Sequence, residues 1–296
     1  MNEYIQTDLA KEIREAQDIK NVRGISYSER RLGGITVERM SISTEEGSEI
    51  IGKSIGKYIT VDTGKPWLMS EEEKDFATKI LCRCINELSP EKHDSVLVCG
   101  LGNRDITSDS LGPMCVDYLT VTRHIKHASP ELFSVIGKTE VASICPGVLS
   151  QTGIETAELI EGAINAVKPE LLVVIDALSA RSSSRLASTF QLTDAGIAPG
   201  SGIGNRRKSI DKKRLGIPVI AIGVPTVVNS STLVYDALNE AGISDIGKSL
   251  KKVLENRKSF FVSLKESDIA VKESAEIISS AINKAFIRDG NHIMYR

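Results

Sequence analysis

The sequence predicts an α/β fold, with a doubly wound, mostly parallel sheet flanked by helices. Three apolar runs indicate buried strands, because each is short, rich in branched side chains and followed by glycine, proline or a charged residue. These runs cover residues 96–99, 171–175 and 217–224. A helical pattern over residues 156–167, with apolar positions three and four apart, separates the first two. Strands that alternate with helices predict parallel pairing and a helix layer on each face of the sheet.

A small additional antiparallel β region is predicted near the N-terminus, ahead of the main sheet or on its edge. Apolar and polar side chains alternate over residues 35–38, 40–42 and 58–61, which is the pattern of strands with one face in a core. Gly33-Gly34 precedes these strands and provides a tight turn. The α/β fold is therefore expected to carry an antiparallel lobe.

The helices begin and end at recognisable signals. Ser70 and Glu73 have the spacing of a capping box, which opens a helix that runs through Leu88. The pattern over residues 111–126 predicts one helix after the first buried strand. Further strands are predicted over residues 141–145 and 187–192, and a further helix over residues 269–286. Residues 7–16 are expected to form a short helix or a mobile tail. Neither an internal repeat nor a linker rich in Pro or Ser divides the chain, so we expect a single domain.

The composition is that of an ordinary globular protein and gives no reason to expect a nucleic acid or a membrane as partner. The formal net charge is −2, and 41% of the residues are hydrophobic. No apolar run is long enough to span a bilayer, and residues 1–17 lack the apolar stretch of a secretory signal. The five cysteines are odd in number and mostly lie in apolar runs, which favours reduced core thiols in an intracellular protein.

Two aspartates follow buried strands and are the strongest candidates for chemistry. Asp176 comes directly after residues 171–175, and Asp109 lies in the loop that leaves the first strand through Gly100-x-Gly102. Ligands and catalytic groups of α/β sheets collect at the carboxyl ends of the strands, so we expect both side chains in one pocket. Two carboxylates in one pocket titrate apart, which leaves one as acid and the other as base at neutral pH. Such a pair can activate water against a carbonyl without a metal.

Simpler structural roles for these two aspartates stay open at this point. Asp109 could cap the helix that starts at Ser110. Asp176 could cap a helix, or it could form an ion pair with Arg181 or Arg185.

Three more polar side chains are expected near the two aspartates. Asn103 and Arg104 belong to the same loop as Asp109, and Gln151 follows the strand predicted over residues 141–145. Amide and guanidinium groups at such positions can hold a substrate or support a developing oxyanion. We therefore predict that these three residues position the substrate.

The motifs of commoner enzyme sites are missing. Asp105 replaces the third glycine of a dinucleotide fingerprint, and no lysine follows to make a P-loop. The sequence has no G-x-S-x-G elbow and no H-E-x-x-H motif, and none of its four histidines follows a predicted strand. Cys82 and Cys84 are too closely spaced for a zinc knuckle. The basic stretch over residues 206–214 is typical of a solvated loop, and it could also bind an acidic partner.

Beyond these local patterns, long stretches of the sequence resemble the germination protease family of endospore-forming bacteria. These endopeptidases degrade small acid-soluble spore proteins when dormancy breaks. Two matching stretches, over residues 199–205 and 216–228, are long enough to be highly specific. Shorter matching motifs include Thr7-Asp8-Leu9-Ala10, Val98-Cys99-Gly100-Leu101-Gly102-Asn103, Asp109-Ser110-Leu111-Gly112-Pro113, Gln151-Thr152-Gly153 and Ile175-Asp176-Ala177-Leu178.

The resemblance implies an atypical aspartic-type endopeptidase with a fold similar to that of hydrogenase maturation endopeptidases. The catalytic aspartates proposed for the family fall on Asp109 and Asp176. Metal-binding relatives add a histidine, and no histidine of this sequence matches it. We therefore expect neither a metal nor another cofactor.

The resemblance also implies a zymogen that cleaves itself between an acidic and an apolar residue. The corresponding bond joins Asp8 to Leu9, which makes residues 1–8 a propeptide and residues 9–296 a single peptidase domain. The family further implies a homotetramer in the cytoplasm of the forespore and the spore core. Its substrates there are small acid-soluble spore proteins, and we expect no direct contact with nucleic acid or membrane.

Two other functions remain as alternatives. A metal-dependent maturation-type endopeptidase would use the carboxylates of Asp109 and Asp176 as metal ligands. A non-catalytic binding module would instead hold an anion with the loop after Gly100 and the basic stretch over residues 206–214.

Overall fold

The computed structural model shows one nine-stranded sheet with helices packed on it. It describes residues 7–17, 22–91, 93–136, 139–198, 208–243, 247–256 and 260–287, and all structural statements below refer to these residues. The strands are β1 (Ile25–Leu32), β2 (Ile35–Ile42), β3 (Gly56–Asp62), β4 (Ser95–Gly100), β5 (Glu140–Ile144), β6 (Leu171–Ala180), β7 (Thr189–Thr193), β8 (Val219–Asn229) and β9 (Phe261–Ser263).

The helices alternate with the strands along much of the chain. They are α1 (Ala10–Gln17), α2 (Glu45–Ile51), α3 (Glu71–Leu88), α4 (Leu111–Asp117), α5 (Arg123–Ala128), α6 (Pro130–Ile136), α7 (Leu149–Thr152), α8 (Thr156–Val167), α9 (Lys212–Leu215), α10 (Ser230–Glu240), α11 (Lys248–Asn256) and α12 (Ser267–Phe286). Within the described ranges, none of these helices has both the length and the apolar character that a membrane crossing requires.

The sheet joins a parallel half to an antiparallel half. The strand order is β1-β2-β3-β7-β8-β6-β4-β5, and β9 pairs with the end of β8. Strands β8, β6, β4 and β5 pair in parallel, whereas β1, β2, β3 and β7 pair antiparallel, and β7 is also antiparallel to β8. The predicted α/β fold class is confirmed. The predicted N-terminal β region is continuous with the main sheet, because β7 bridges β3 and β8.

The central strands read as unbroken apolar runs because helices cover both of their faces. One face carries α3, α4 and α12 and includes the side chains of Val173 and Ile175 on β6. The other face carries α8 and includes Leu172 and Val174 on the same strand. Alternate residues of β6 therefore belong to two different cores, as the pleat of a strand requires.

Two local predictions are confirmed in detail. Gly33-Gly34 forms the two-residue turn between β1 and β2. Ser70 is the N-cap of α3, where its side chain accepts the backbone N–H of Glu73, and the Glu73 carboxylate accepts the N–H of Ser70.

Two predicted boundaries are wrong. Strand β6 continues past Asp176 to Ala180, because β8 runs on through Pro225 to Asn229 and supplies its pairing partners, with one irregularity after Leu178. The single helix predicted over residues 111–126 is two helices, α4 and α5. They separate because Thr122 bonds β5 instead, where its hydroxyl accepts the N–H of Val141 at 2.9 Å.

Some sequence features lie outside the described residues. These are residues 1–6 of the predicted propeptide and residues 199–207. The second range contains the glycine-rich stretch and the first two arginines of the basic stretch.

Candidate active site

Asp176 lies inside β6, on a row of residues that crosses three strands. It pairs with Gly223 on β8, and Gly223 pairs with Gln191 on β7. Residues that pair in register point to the same face of a sheet, so the side chains of Asp176 and Gln191 flank a glycine on one face. Asp176 is buried, and its Oδ1 accepts the N–H of Ala177 at 3.0 Å.

Asp109 ends a 3₁₀ turn, Thr107–Asp109, in the loop between β4 and α4. Its Oδ2 accepts the backbone N–H of Asn103 at 2.8 Å, which ties the turn to the start of the same loop. The hydroxyl of Thr226 on β8 donates to the carbonyl of Ser108 at 2.6 Å. The turn that carries Asp109 is therefore fastened both to its own loop and to the sheet.

Close backbone packing brings the Asp109 loop against β6. The N–H of Leu101 donates to the carbonyl of Ile175, the residue before Asp176, at 2.8 Å. A Cβ added to Gly112 would lie 2.3 Å from the Leu101 carbonyl oxygen and 2.7 Å from that of Ile175. Only glycine fits there. The structure thus places Asp109 beyond the carboxyl end of β4 and Asp176 inside the longer β6, on segments that contact each other directly.

Asn103 and Gln151 are brought together, as expected for residues that serve one site. The Gln151 amide donates from Nε2 to Oδ1 of Asn103 at 2.9 Å, which links the loops that follow β4 and β5. Arg104 differs, because its guanidinium forms an ion pair with Asp117 at the end of α4. The hydrogen bonds that Arg104 donates to Asp117 raise the pKa of Arg104, and the Arg104 side chain is half exposed.

The simpler roles considered for the two aspartates were a helix cap for Asp109 and an ion pair with Arg181 or Arg185 for Asp176. Helix α4 has Ser110 as its N-cap. Arg181 forms a bidentate pair with Asp236, and Arg185 pairs with acidic residues that include Glu15. Both arginines that were candidates to neutralise Asp176 are therefore engaged by other carboxylates.

The predicted processing bond lies against the same strand as Asp176. Asp8 donates its N–H to the carbonyl of Ser179 at 2.8 Å, and its Oδ2 accepts the N–H of Ser179 at 2.9 Å. Leu9 has no exposed surface. It belongs to a small apolar cluster with Leu178, Ala180, Leu186 and Val228.

Gln191 is a site residue that the sequence did not reveal. Its Nε2 donates to the carbonyl of Asp8 at 3.0 Å, and its Oε1 accepts the N–H of Ala10 at 2.7 Å. The only sequence signal was an amide between two apolar residues of a buried strand, Phe190 and Leu192. A single glutamine in a buried strand does not by itself indicate a function.

The cysteines are free and mostly serve the core. Cys84, Cys99 and Cys115 are buried, and burial raises the pKa of each thiol, to about 12 for Cys84. Cys82 is partly buried. The expectation of a core thiol is wrong for Cys145, which is exposed where β5 ends. Across the described ranges, no three His, Cys, Asp or Glu side chains form a group that could hold a metal ion.

Comparison with known proteins gives consistent matches over most of the chain. A family model described as "Germination protease" matches residues 3–264. The germination protease of Caldanaerobacter subterraneus subsp. tengcongensis is 40% identical, over 95% of this chain and 94% of the relative. Those of Clostridium tetani and Bacillus subtilis are 38% and 39% identical, over 91% and 88% of this chain and 83% and 72% of their own lengths.

Among solved structures, a [NiFe] hydrogenase maturation protease, HycI from Thermococcus kodakarensis KOD1, aligns with this chain. The alignment has a TM-score of 0.39 and 17% sequence identity, and it covers 70% of this chain and 97% of that chain.

Proposed function

Since the chain belongs to the germination protease family, we propose that it is an endopeptidase that initiates the degradation of small acid-soluble spore proteins during germination. The family match extends from residue 3 to residue 264, and the relatives align over most of their own lengths. Family membership makes the chain a peptidase, hence a hydrolase. The substrate, the mechanism and the processing step described below belong to the proposal.

The proposed mechanism uses the carboxylates of Asp109 and Asp176. One of them takes a proton from water, and the other, protonated, donates to the scissile carbonyl or to the leaving amine. The observation that carries this assignment is the direct backbone contact between the Asp109 loop and β6 next to Asp176. The backbone segments that carry the two carboxylates are thus fixed to each other, which supports the proposal.

Asn103 and Gln151 are proposed to orient the substrate beside these carboxylates. Their mutual hydrogen bond leaves further donor and acceptor positions on each amide for a peptide backbone. Arg104 is paired with Asp117, and we propose that it positions the loop that carries Asn103 and Asp109 beside the substrate.

The chain is further proposed to be a zymogen that cleaves its own Asp8–Leu9 bond and so separates residues 1–8 from the peptidase domain, residues 9–296. Asp8 is hydrogen-bonded to Ser179, which lies on β6 three residues beyond Asp176, and this contact supports the assignment. We also propose that the protein acts as a homotetramer in the spore core, where free spore proteins are unfolded and can present an extended segment.

The test is the cleavage of a small acid-soluble spore protein by purified Asp109→Asn and Asp176→Asn chains. Removing a general acid or base is expected to lower the rate by about 10²–10⁴-fold, with circular dichroism and melting temperature unchanged. Asp105→Asn, an exposed carboxylate of the same loop, is the matched control and should cleave at the wild-type rate. Wild-type cleavage by either test variant would remove that residue from the mechanism.

A chelator arm addresses the metal-dependent alternative. Activity that disappears with chelator and returns with nickel or zinc would assign the carboxylates as ligands instead of as an acid–base pair.

A further inference from the structure

We propose that residues 7–10 occupy the substrate groove, in which Gln191 binds the peptide backbone around the scissile bond and Lys53 selects an acidic side chain before it. This inference rests on the proposed function, because it takes Asp8–Leu9 as a bond that the enzyme cuts. It adds two specificity-determining residues for the bond between an acidic and an apolar residue that the resemblance implies.

The Gln191 side chain holds this segment by its backbone alone. Its Nε2 donates to the carbonyl of Asp8, which is the carbonyl of the bond to be cut, and its Oε1 accepts the N–H of Ala10. Both polar ends of a buried amide are thus used on the two sides of one residue, Leu9. Such a contact is independent of the peptide's side chains, so it suits an enzyme that must bind the same segment in other proteins.

The groove lies next to the proposed catalytic edge. Gln191 and Asp176 point to the same face of the sheet with Gly223 between them, and adjacent strands place their backbones about 10 Å apart. Ser179, which binds Asp8 through its N–H and carbonyl, is three residues beyond Asp176 on β6. A segment bound to Gln191 and Ser179 therefore lies about 10 Å from the backbone of Asp176.

The Asp8 side chain shares a cavity with a lysine. The cavity has a volume of about 400 Å³, and its charged lining residues are Asp8, Lys53 and Asp211. Asp211 is already used by α9, because its carboxylate accepts the N–H of Arg214 at 2.9 Å. Burial lowers the pKa of Lys53, and the nearby Asp8 carboxylate opposes that effect. An ammonium group kept in a cavity costs stability, and a carboxylate at the acidic position of a peptide offsets that cost.

The residue after the scissile bond, Leu9, lies in an apolar pocket. Leu9 is completely buried, and its neighbours come from the end of β6, from β8 and from the segment before β7. Leu178 is one of these neighbours, and it also packs over Gly223. A charged side chain placed there would lose its hydration without a partner, so the groove favours an apolar residue after the scissile bond.

The first test is a charge exchange between residue 8 and residue 53 in the full chain. Asp8→Lys and Lys53→Glu are each expected to slow self-cleavage at least tenfold, measured by intact mass, and the double variant should recover most of the wild-type rate. Lys57→Met, an exposed lysine on β3, is the control and should process normally. A double variant as slow as the product of the two single effects would overturn the assignment of Lys53.

A second measurement does not depend on cleavage. In the Asp176→Asn chain, hydrogen exchange of residues 7–10 should be slow. Adding Gln191→Glu should make it at least tenfold faster, because a carboxylate oxygen in place of the Nε2 donor repels the Asp8 carbonyl and releases the segment that carries the Ala10 N–H. If wild type cleaves nothing but this protection is seen, the proposed function fails and the peptide groove stands. If wild type cleaves while Gln191→Glu and Lys53→Glu change neither exchange nor rate, the groove is wrong and the proposed function stands.

Discussion

The parallel and antiparallel halves of the sheet hold their functional segments by different means. In the parallel half, the loop with Asp109 and the strand with Asp176 meet through backbone atoms, and glycine at position 112 permits the contact. In the antiparallel half, α1 is tied to the sheet by several ionised side chains. The first arrangement tolerates no added atom, and the second depends on charge.

The charges around α1 are unusually well buried. Glu38 on β2 accepts two hydrogen bonds from Arg14, at 3.2 and 2.7 Å, and only 2% of its surface is exposed. Lys11 pairs with Asp62 on β3 at 2.7 Å. Glu12 accepts the backbone N–H groups of residues 181 and 182 at 2.7 and 3.0 Å. Every one of these bonds connects a residue of α1 to the rest of the protein.

This difference matters for a protein that is proposed to lose its first residues. Buried ion pairs fix geometry well but stabilise little in net terms, because desolvation offsets much of the attraction. Helix α1 stays with the peptidase domain after cleavage, and a helix held in this way is specifically placed and can still undock. A site built by backbone packing stays in place when the segment leaves.

The largest effect is expected from Gly112→Ala, which would break the parallel half. Because the new methyl would overlap the carbonyl oxygens of Leu101 and Ile175, the loop and the strand must separate. We expect a loss of about 3 kcal/mol or more in the free energy of unfolding, measured in urea. Gly162→Ala on α8, where an added Cβ meets nothing, is the control and should be neutral or stabilising by about 1 kcal/mol. Equal stability of the two variants would contradict the packing described here.

A smaller and more local effect is expected from Glu38→Gln in the antiparallel half. Removing this carboxylate charge takes away the ion-pair partner of Arg14 and a more distant one, at 4.0 Å, of Lys11, which should weaken the docking of α1 by about 3 kcal/mol. Limited proteolysis should then cut within residues 7–17 much faster, while the remaining fragment stays folded. Glu29→Gln, on an exposed carboxylate 4.0 Å from Lys11, should change proteolysis little. Global unfolding of Glu38→Gln would show that α1 is not a separate, charge-held unit.

The smallest effect is expected from Thr226→Val, which sharpens the description of the parallel half. The variant loses the hydrogen bond to the Ser108 carbonyl, at a cost of about 1–2 kcal/mol, and loosens the turn that carries Asp109. Peptide cleavage should fall about tenfold or less in kcat, with KM nearly unchanged. Thr226→Ser keeps the hydroxyl and should restore the rate; if it is as slow as Thr226→Val, the hydrogen bond is not what positions the turn.

The sequence allowed the central strands and several helices to be predicted because their signals are local. Residues 171–175 are apolar without interruption since helices cover both faces of β6, and the capping pair Ser70 and Glu73 marks the start of α3 at short range. The break between α4 and α5 was not predictable, because the Thr122 side chain bonds β5, which follows later in the chain.

The site was predictable only in part, for the same physical reason. Asp109 and Asp176 stood out because each follows an apolar run of the sequence. The structure places Asp109 in the loop after β4 and Asp176 inside β6. Gln191 did not stand out, because its contact with Ala10 joins residues 181 positions apart in the chain. The continuation of β6 beyond Asp176 likewise depends on the far end of β8.

The most direct test of the account is the intact mass of the full chain after mild acidification. The account predicts that the wild-type chain loses residues 1–8 and acquires Leu9 as its new N-terminus, while the Asp176→Asn chain keeps its full mass. A different new N-terminus in the wild-type chain, or a Leu9 terminus in the Asp176→Asn chain, would contradict it.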